Sequence, residues 1–258
     1  MVRVSVIFNL RLCMNIRPIL SVAILTTGCA WAAPTIIVPA ISSVTNENAF
    51  NGQTFNFLVN NSGMTPAVNT GDSLASAQAA VHNYGSFTES WVTVDSTADY
   101  FATGFGATNP PSVVFDLGAD SVLSNILLWQ YQNDGGGVIN VGNHTRTLDL
   151  RFNTAAQGPS TFSGSATTLT MLPVVDGDGL GNGNDLNGVN SAQTFSLGGT
   201  ARYVQLTVTD NYRGFQGIVN GGDRAGLGEV RFVGQAVPEP GSAGLLLLAA
   251  GALTRRRR

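Results

Sequence analysis

Two stretches of this chain alternate apolar and polar residues with a period of two, and that period constrains the fold more than any other feature. Over residues 146–153, Leu148, Leu150 and Phe152 leave on one side while Thr147, Asp149 and Arg151 leave on the other. Over residues 202–210, Val204, Leu206 and Val208 alternate with Tyr203, Gln205, Thr207 and Thr209. Side chains of a β-strand leave on opposite faces in turn, so each stretch reads as a strand with one buried face. Residues 112–117, 122–131, 167–172, 193–197 and 229–233 are further strand candidates, and Gly, Asn, Asp and Pro fill the gaps between them. One short helical pattern is visible, the alanine-rich residues 73–82, which His82 ends. Strands without interleaved helices predict an all-β chain, an antiparallel jelly-roll β-sandwich.

The two ends do not share this period. Residues 1–32 hold no acidic residue; Arg17 precedes an apolar run over residues 19–25, and Ala30-Trp31-Ala32 ends it. A basic start, an apolar middle and a small-x-small ending are the layout of a secretory signal peptide, with cleavage between Ala32 and Ala33. Met14 offers a second start with a shorter basic region. At the other end, Pro238-Glu239-Pro240 is followed by an uncharged run over residues 241–254 and then Arg255, Arg256, Arg257 and Arg258. Fourteen helical residues span roughly 21 Å, short of the ~30 Å hydrocarbon layer, so this run makes a marginal permanent anchor. The arginines would hold their end in the cytoplasm, leaving the rest outside.

Between these ends, residues 33–236 contain no cysteine, and the whole chain contains no lysine. An exported domain without cysteine has no disulfide to rely on and is held by its core or by bound ions. Without lysine there is no phosphate-loop lysine, no Schiff-base chemistry and no lysine general base. The stretch carries six arginines against fifteen acidic residues, a net charge of −9. That balance excludes a cationic nucleic-acid surface.

Two resemblances follow from particular residues. The order Pro-Glu-Pro, short apolar helix, arginine cluster over residues 237–258 resembles the PEP-CTERM sorting signal of Gram-negative bacteria that make exopolysaccharide. That resemblance implies an exosortase-type enzyme as partner, passage through the inner membrane by way of the C-terminal helix, and delivery to the envelope, outer surface or extracellular matrix. Separately, residues 112–118 (SVVFDLG), 123–131 (LSNILLWQY), 201–206 (ARYVQL) and 226–232 (GLGEVRF) resemble strands of discoidin-like, coagulation-factor C-type domains, and residues 58–63 (LVNNSG) and Trp91 resemble that family's early turn and tryptophan. The resemblance covers roughly residues 46–234. It implies a galactose-binding-domain-like sandwich that binds glycans, lipids or proteins through end loops and is not usually catalytic.

Candidate site residues divide into three groups. Flat apolar rings beside hydrogen-bonding groups suit sugars. Tyr212, Arg213 and Phe215, with Arg224 nearby in sequence, offer that mixture, and Tyr84 is another loop aromatic. Their alternative is local packing or plain solvent exposure. Asp176, Asp178 and Asp185 lie in a Gly/Asn-rich run and supply carboxylates for Ca²⁺, which takes six to eight oxygens; the alternative is a mobile turn. The discoidin-like resemblance implies a second structural calcium, held by loop carbonyls, an early aspartate and the glutamate of the last strand. Glu229 matches the glutamate, while Asn60 stands where the aspartate would be; the alternative for Glu229 is an ion pair with an arginine. Trp91 and Trp129 read as core, Asp116 and Asp149 as structural, and His144 as a solvated loop residue.

These readings predict an exported, non-catalytic carbohydrate-binding module. The alternatives are a matrix protein without a specific ligand and an envelope glycosidase using a carboxylate pair.

Overall fold

The computed structural model describes residues 33–83, 87–94, 101, 110–131, 141–174, 190–215, 218 and 221–238. Its strands are β1 (Thr35–Ile37), β2 (Ala40–Thr45), β3 (Met64–Thr65), β4 (Val81–His82), β5 (Trp91–Val92), β6 (Ser112–Gln130), β7 (Thr145–Asn153), β8 (Thr167–Thr170), β9 (Asn190–Ser191), β10 (Gln193–Ser196), β11 (Thr200–Asn211) and β12 (Gly226–Ala236). All pairings between these strands are antiparallel.

The two strands expected over residues 112–117 and 122–131 form one, β6, 19 residues long. Gly118 takes a φ of +84°, a left-handed conformation that disfavours any residue with a Cβ, and the Asp116 carboxylate accepts its N–H at 2.8 Å. The first half of β6 lies between β2 and β11, with Phe115 opposite Ile41 and Val204. Its second half lies between β12 and β10, with Ile126 opposite Phe232 and Phe195. The strand therefore belongs to both layers: a front sheet β2–β6–β11–β7–β8 and a back sheet β1–β12–β6–β10, with β5 also on β12.

The alternation read from the sequence becomes the core between these layers. Leu148 and Leu150 from β7, Val204, Leu206 and Val208 from β11, Val113, Phe115, Ile126 and Leu128 from β6, and Val230 and Phe232 from β12 form one buried cluster. Phe115 meets Phe232 edge to face, with ring centroids 5.7 Å apart. Trp91 is fully buried in the same cluster and stacks on Phe55 at 4.3 Å.

The outer face of the back sheet is covered too. A second cluster joins Leu127, Trp129 and Val233 of that face to Ile36, Met64, Val68, Ala77 and Ala80. Trp129 donates its indole N–H to the Ala80 carbonyl at 3.1 Å. This cover includes α1 (Leu74–Gln78), capped by the Ser73 hydroxyl, which accepts from the Ser76 N–H. The helix is shorter than expected. Residues 81–82 leave it for β4, which pairs with β3 and β9, so His82 is a buried strand residue and not a helix end. Among the described residues, no helix is long and apolar enough to cross a membrane.

Candidate functional site

Three regions bring chemistry-bearing side chains together. The first holds most of the loop residues expected to meet a ligand. Past the end of β11, the Tyr212 ring is buried and its hydroxyl donates to the Met171 carbonyl at 2.6 Å. That bond commits the ring to packing, and the expectation that Tyr212 offers a stacking face is corrected. Phe215 packs edge-on against Tyr212 at 5.6 Å and takes the Arg146 guanidinium over its face at 4.6 Å. Arg146 also pairs with Asp210. Arg213 is exposed, its N–H donating to the Asn211 side-chain oxygen at 3.0 Å. Arg224 is half-buried, with its guanidinium 4.3 Å over the Phe50 ring. The Asn211 amide donates to Asp223 at 3.0 Å and to the Arg224 carbonyl at 2.8 Å, tying the two loops together. Arg213 and Arg224 are thus at one end of the sandwich.

Beneath this end lies His144, expected in solvent and found fully buried. Its carbonyl accepts from the Tyr212 N–H at 3.1 Å, and its Nδ1 accepts from the Val174 N–H at 3.3 Å. Burial depresses its pKa to about 3, so it is neutral at physiological pH.

The second region is an open trough of about 480 Å³ on the outer face of the front sheet. It is the outward half of the alternation: Asp149 and Arg151 from β7 stand beside Thr207 and Gln205 of β11, their cross-strand partners. Thr45 and Asn46 at the end of β2, Ser112, Thr209 and the Pro110 ring complete the lining. Ser112 and Thr207 share a hydroxyl–hydroxyl bond of 3.0 Å, and the Thr168 hydroxyl donates to Asp149 at 2.5 Å. Asp149 is therefore both held by its neighbour strand and open to a ligand. The lining combines hydroxyls, carboxamides, a carboxylate, a guanidinium and one apolar ring, a set able to donate and accept at many closely spaced points. Asp116 is structural, as expected: it holds Arg202 with two hydrogen bonds of 2.9 and 3.1 Å, and the arginine keeps its carboxyl below the usual range.

The third region is polar and buried, between β12 and the loop before β3. Glu229 and Arg231 have no exposed side-chain surface and pair at 2.5 Å. The Glu229 carboxylate also accepts the Asn61 N–H at 3.4 Å. Burial pushes the carboxyl above its ordinary range and the guanidinium below its own, and each partner opposes the other's shift. Asn60 turns its side-chain oxygen onto the Ser62 N–H at 2.9 Å, a local turn and not a reach towards Glu229. Beside this pair, the His82 ring and the Gln130 carbonyl pack closely against Gly228 of β12. A Cβ at Gly228 would fall 2.9 Å from the His82 ring, so only glycine fits there. Burial lowers the His82 pKa.

Tyr84, Asp176, Asp178, Asp185, Ala32, Glu239, Pro240 and Arg255, Arg256, Arg257 and Arg258 lie outside the described residues. Ala33 and Pro238 sit at the two limits of the described domain. Among the described residues, no three of His, Cys, Asp and Glu gather as a metal site would require.

No protein-family model matches this chain, and neither does any curated protein. Solved structures do resemble it. One is a fragment, residues 298–461, of a chitobiase-related protein from Bacteroides thetaiotaomicron, at 12% identity and a TM-score of 0.44, covering 83% of this chain and 99% of that one. A second is a family 32 carbohydrate-binding module of a family 31 glycoside hydrolase from Clostridium perfringens, at 14% identity and a TM-score of 0.41, covering 77% and 90%. A third is a family 32 module from the same organism in complex with galactose, at 11% identity and a TM-score of 0.35, covering 78% and 98%. At such identities the correspondence does not extend to individual side chains.

The sequence reading names β7, β11 and the start of β6 but not β2, which supplies Thr45, and it misses the trough as a site. Its signal was the outward residues of the two alternating stretches, Asp149 and Arg151 with Gln205 and Thr207. Only the register of β7 on β11 makes them neighbours.

Proposed function

We propose that this protein is an exported, non-catalytic module that binds polysaccharide in the trough on the outer face of its front sheet. The observation that carries this reading is the trough itself, where Asp149, Arg151, Gln205 and Thr207 stand side by side on a rigid pleated surface. A sugar chain presents hydroxyls every few ångströms, and adjacent side chains of alternating donor and acceptor character match that spacing. Strands fix such groups better than loops do. The described lining holds one carboxylate, whereas glycoside hydrolysis by side chains uses a pair. That supports binding over cleavage.

The ends supply the address. The basic-apolar-small leader ending at Ala32 supports export, and the Pro238-Glu239-Pro240, apolar, Arg255–Arg258 order supports PEP-CTERM sorting by an exosortase-type enzyme to the surface or matrix of a Gram-negative-type cell. Mass spectrometry of the exported protein checks this; recovery of all 258 residues would remove the sorting reading.

Binding is tested by affinity electrophoresis in gels containing the producing organism's own exopolysaccharide. The wild type is expected to be retarded. Asp149→Ala and Arg151→Ala each remove a charged hydrogen-bonding group and should weaken retention roughly ten- to a hundred-fold. Paired substitution of Arg213 and Arg224 by alanine should leave it unchanged; loss there instead would move the site to the end loops. No retention of the wild type would favour a matrix component without a specific ligand.

A further inference from the structure

The discoidin-like resemblance implies a structural calcium between the early loop and the last strand, and the residues present do not fit one. The oxygens that converge at this point are already taken by the Arg231 guanidinium. Its Nε donates to the Val68 carbonyl at 3.0 Å and its Nη2 to the Asn61 side-chain oxygen at 2.7 Å. Its Nη1 donates to Glu229 at 2.5 Å, to the Val230 carbonyl at 2.8 Å and to the Leu58 carbonyl at 3.4 Å. That donor set, with backbone carbonyls, a side-chain amide oxygen and a carboxylate around one buried positive charge, is what a hard divalent cation would select. A calcium ion among the same oxygens would stand beside the guanidinium and be repelled by it. Asn60, the residue at the expected aspartate position, spends its side-chain oxygen on Ser62.

We propose that Arg231 is the resident cation of this position, a covalently attached substitute for a metal ion that clamps the loop of residues 58–68 onto β12. The planar guanidinium suits the task because all three of its nitrogens donate in fixed directions. The loop it holds is the one whose Val68 and Met64 cover the outer face of the back sheet. The domain then needs no calcium at this point to keep that face closed.

The test uses the full chain with Asp176, Asp178 and Asp185 changed to asparagine, so that this separate carboxylate cluster cannot report calcium of its own. Thermal midpoints are recorded with calcium chloride and with a chelator, alongside calorimetric titration with calcium chloride. The proposal expects the same midpoint in both conditions and no heat of binding. A rise with calcium that Glu229→Gln abolishes would overturn it. In the same background, Arg231→Ala is expected to lower the midpoint by on the order of 10 °C, since it strands a buried carboxylate. Arg231→Lys, which restores the charge without the planar fork, is expected to recover part of that loss. An alanine variant as stable as its parent, or a lysine variant no better than alanine, argues against the cation role. Should the alanine variant not fold, the calcium measurements decide alone.

Discussion

The front sheet leaves Asp149, Arg151, Gln205 and Thr207 at the surface, whereas the back sheet encloses Glu229 and Arg231 completely. Both pairs of charged residues stand two apart on a strand, Asp149 and Arg151 on β7, Glu229 and Arg231 on β12, and both therefore project from one face. The difference lies in what covers them. Nothing among the described residues lies over the middle of β7 and β11, so their polar groups stay available to a ligand. Met64, Val68, Ala77 and Ala80 cover the outer face of the back sheet, so the polar groups of β12 on that face must find partners inside the protein.

Substitutions on the two faces should separate sharply, and the largest effect falls on the covered one. Arg231→Met leaves the Glu229 carboxylate buried and unpaired and should cost about 3–5 kcal/mol, read as a fall in the urea midpoint. Arg151→Met, the matching change on the open face, should stay within about 0.5 kcal/mol. Equal losses would break the comparison.

Next comes the shared core, which both faces depend on. Leu206→Ala removes a fully buried side chain and should cost about 2–5 kcal/mol. Gln205→Ala, one residue away on the trough side, should leave stability nearly unchanged while weakening polysaccharide retention. A reversal of that pattern would mean that the trough is structural.

A pH experiment sharpens the comparison at the buried end of the sandwich. His144 has a folded pKa near 3 against about 6.5 for an unfolded histidine. Below pH 6.5 the unfolded chain takes up a proton that the folded chain refuses, so stability is full above that pH and falls as pH drops towards 3. The slope from this one group is about 1.4 kcal/mol per pH unit. His144→Gln should flatten the acid limb by that amount relative to wild type. An unchanged slope would mean that the ring is protonated inside the fold. A smaller loss than these is expected of Asp116→Ala, which opens a partly exposed ion pair with Arg202 and should cost about 0.2–1 kcal/mol.

How far the sequence could be read tracks the same division. β7 and β11 declare themselves because one face is wet and one is dry, and alternation is the signature of that condition. β12 also alternates, with Val230 and Phe232 on one face and Glu229 and Arg231 on the other, yet both of its faces are buried. Nothing in the spacing says that Glu229 and Arg231 lie beneath a loop some 170 residues earlier in the chain. β6 read as two strands because Gly118-Ala119-Asp120 resembles a turn, whereas the glycine bends a single strand instead of ending it. The packing of Tyr212 and His144 escapes the sequence for a common reason. Both sit among Gly, Asn and Asp, which signals a loop, and a loop signal carries no information about what packs on it. The Met171 carbonyl that claims the tyrosine hydroxyl is 41 positions away.

The bend at Gly118 has a consequence for how the domain comes apart. A sandwich whose layers share no strand can lose one sheet while the other persists. Here a single strand lies inside both layers, paired with β2 and β11 before the bend and with β10 and β12 after it, while β11 continues across the bend to Ser121 and Val122. Peeling either layer exposes half of β6 and strips the apolar face of the remainder. Opening should thus be all-or-none, and the amides on both sides of Gly118 should exchange with deuterium at one common rate, the slowest in the molecule.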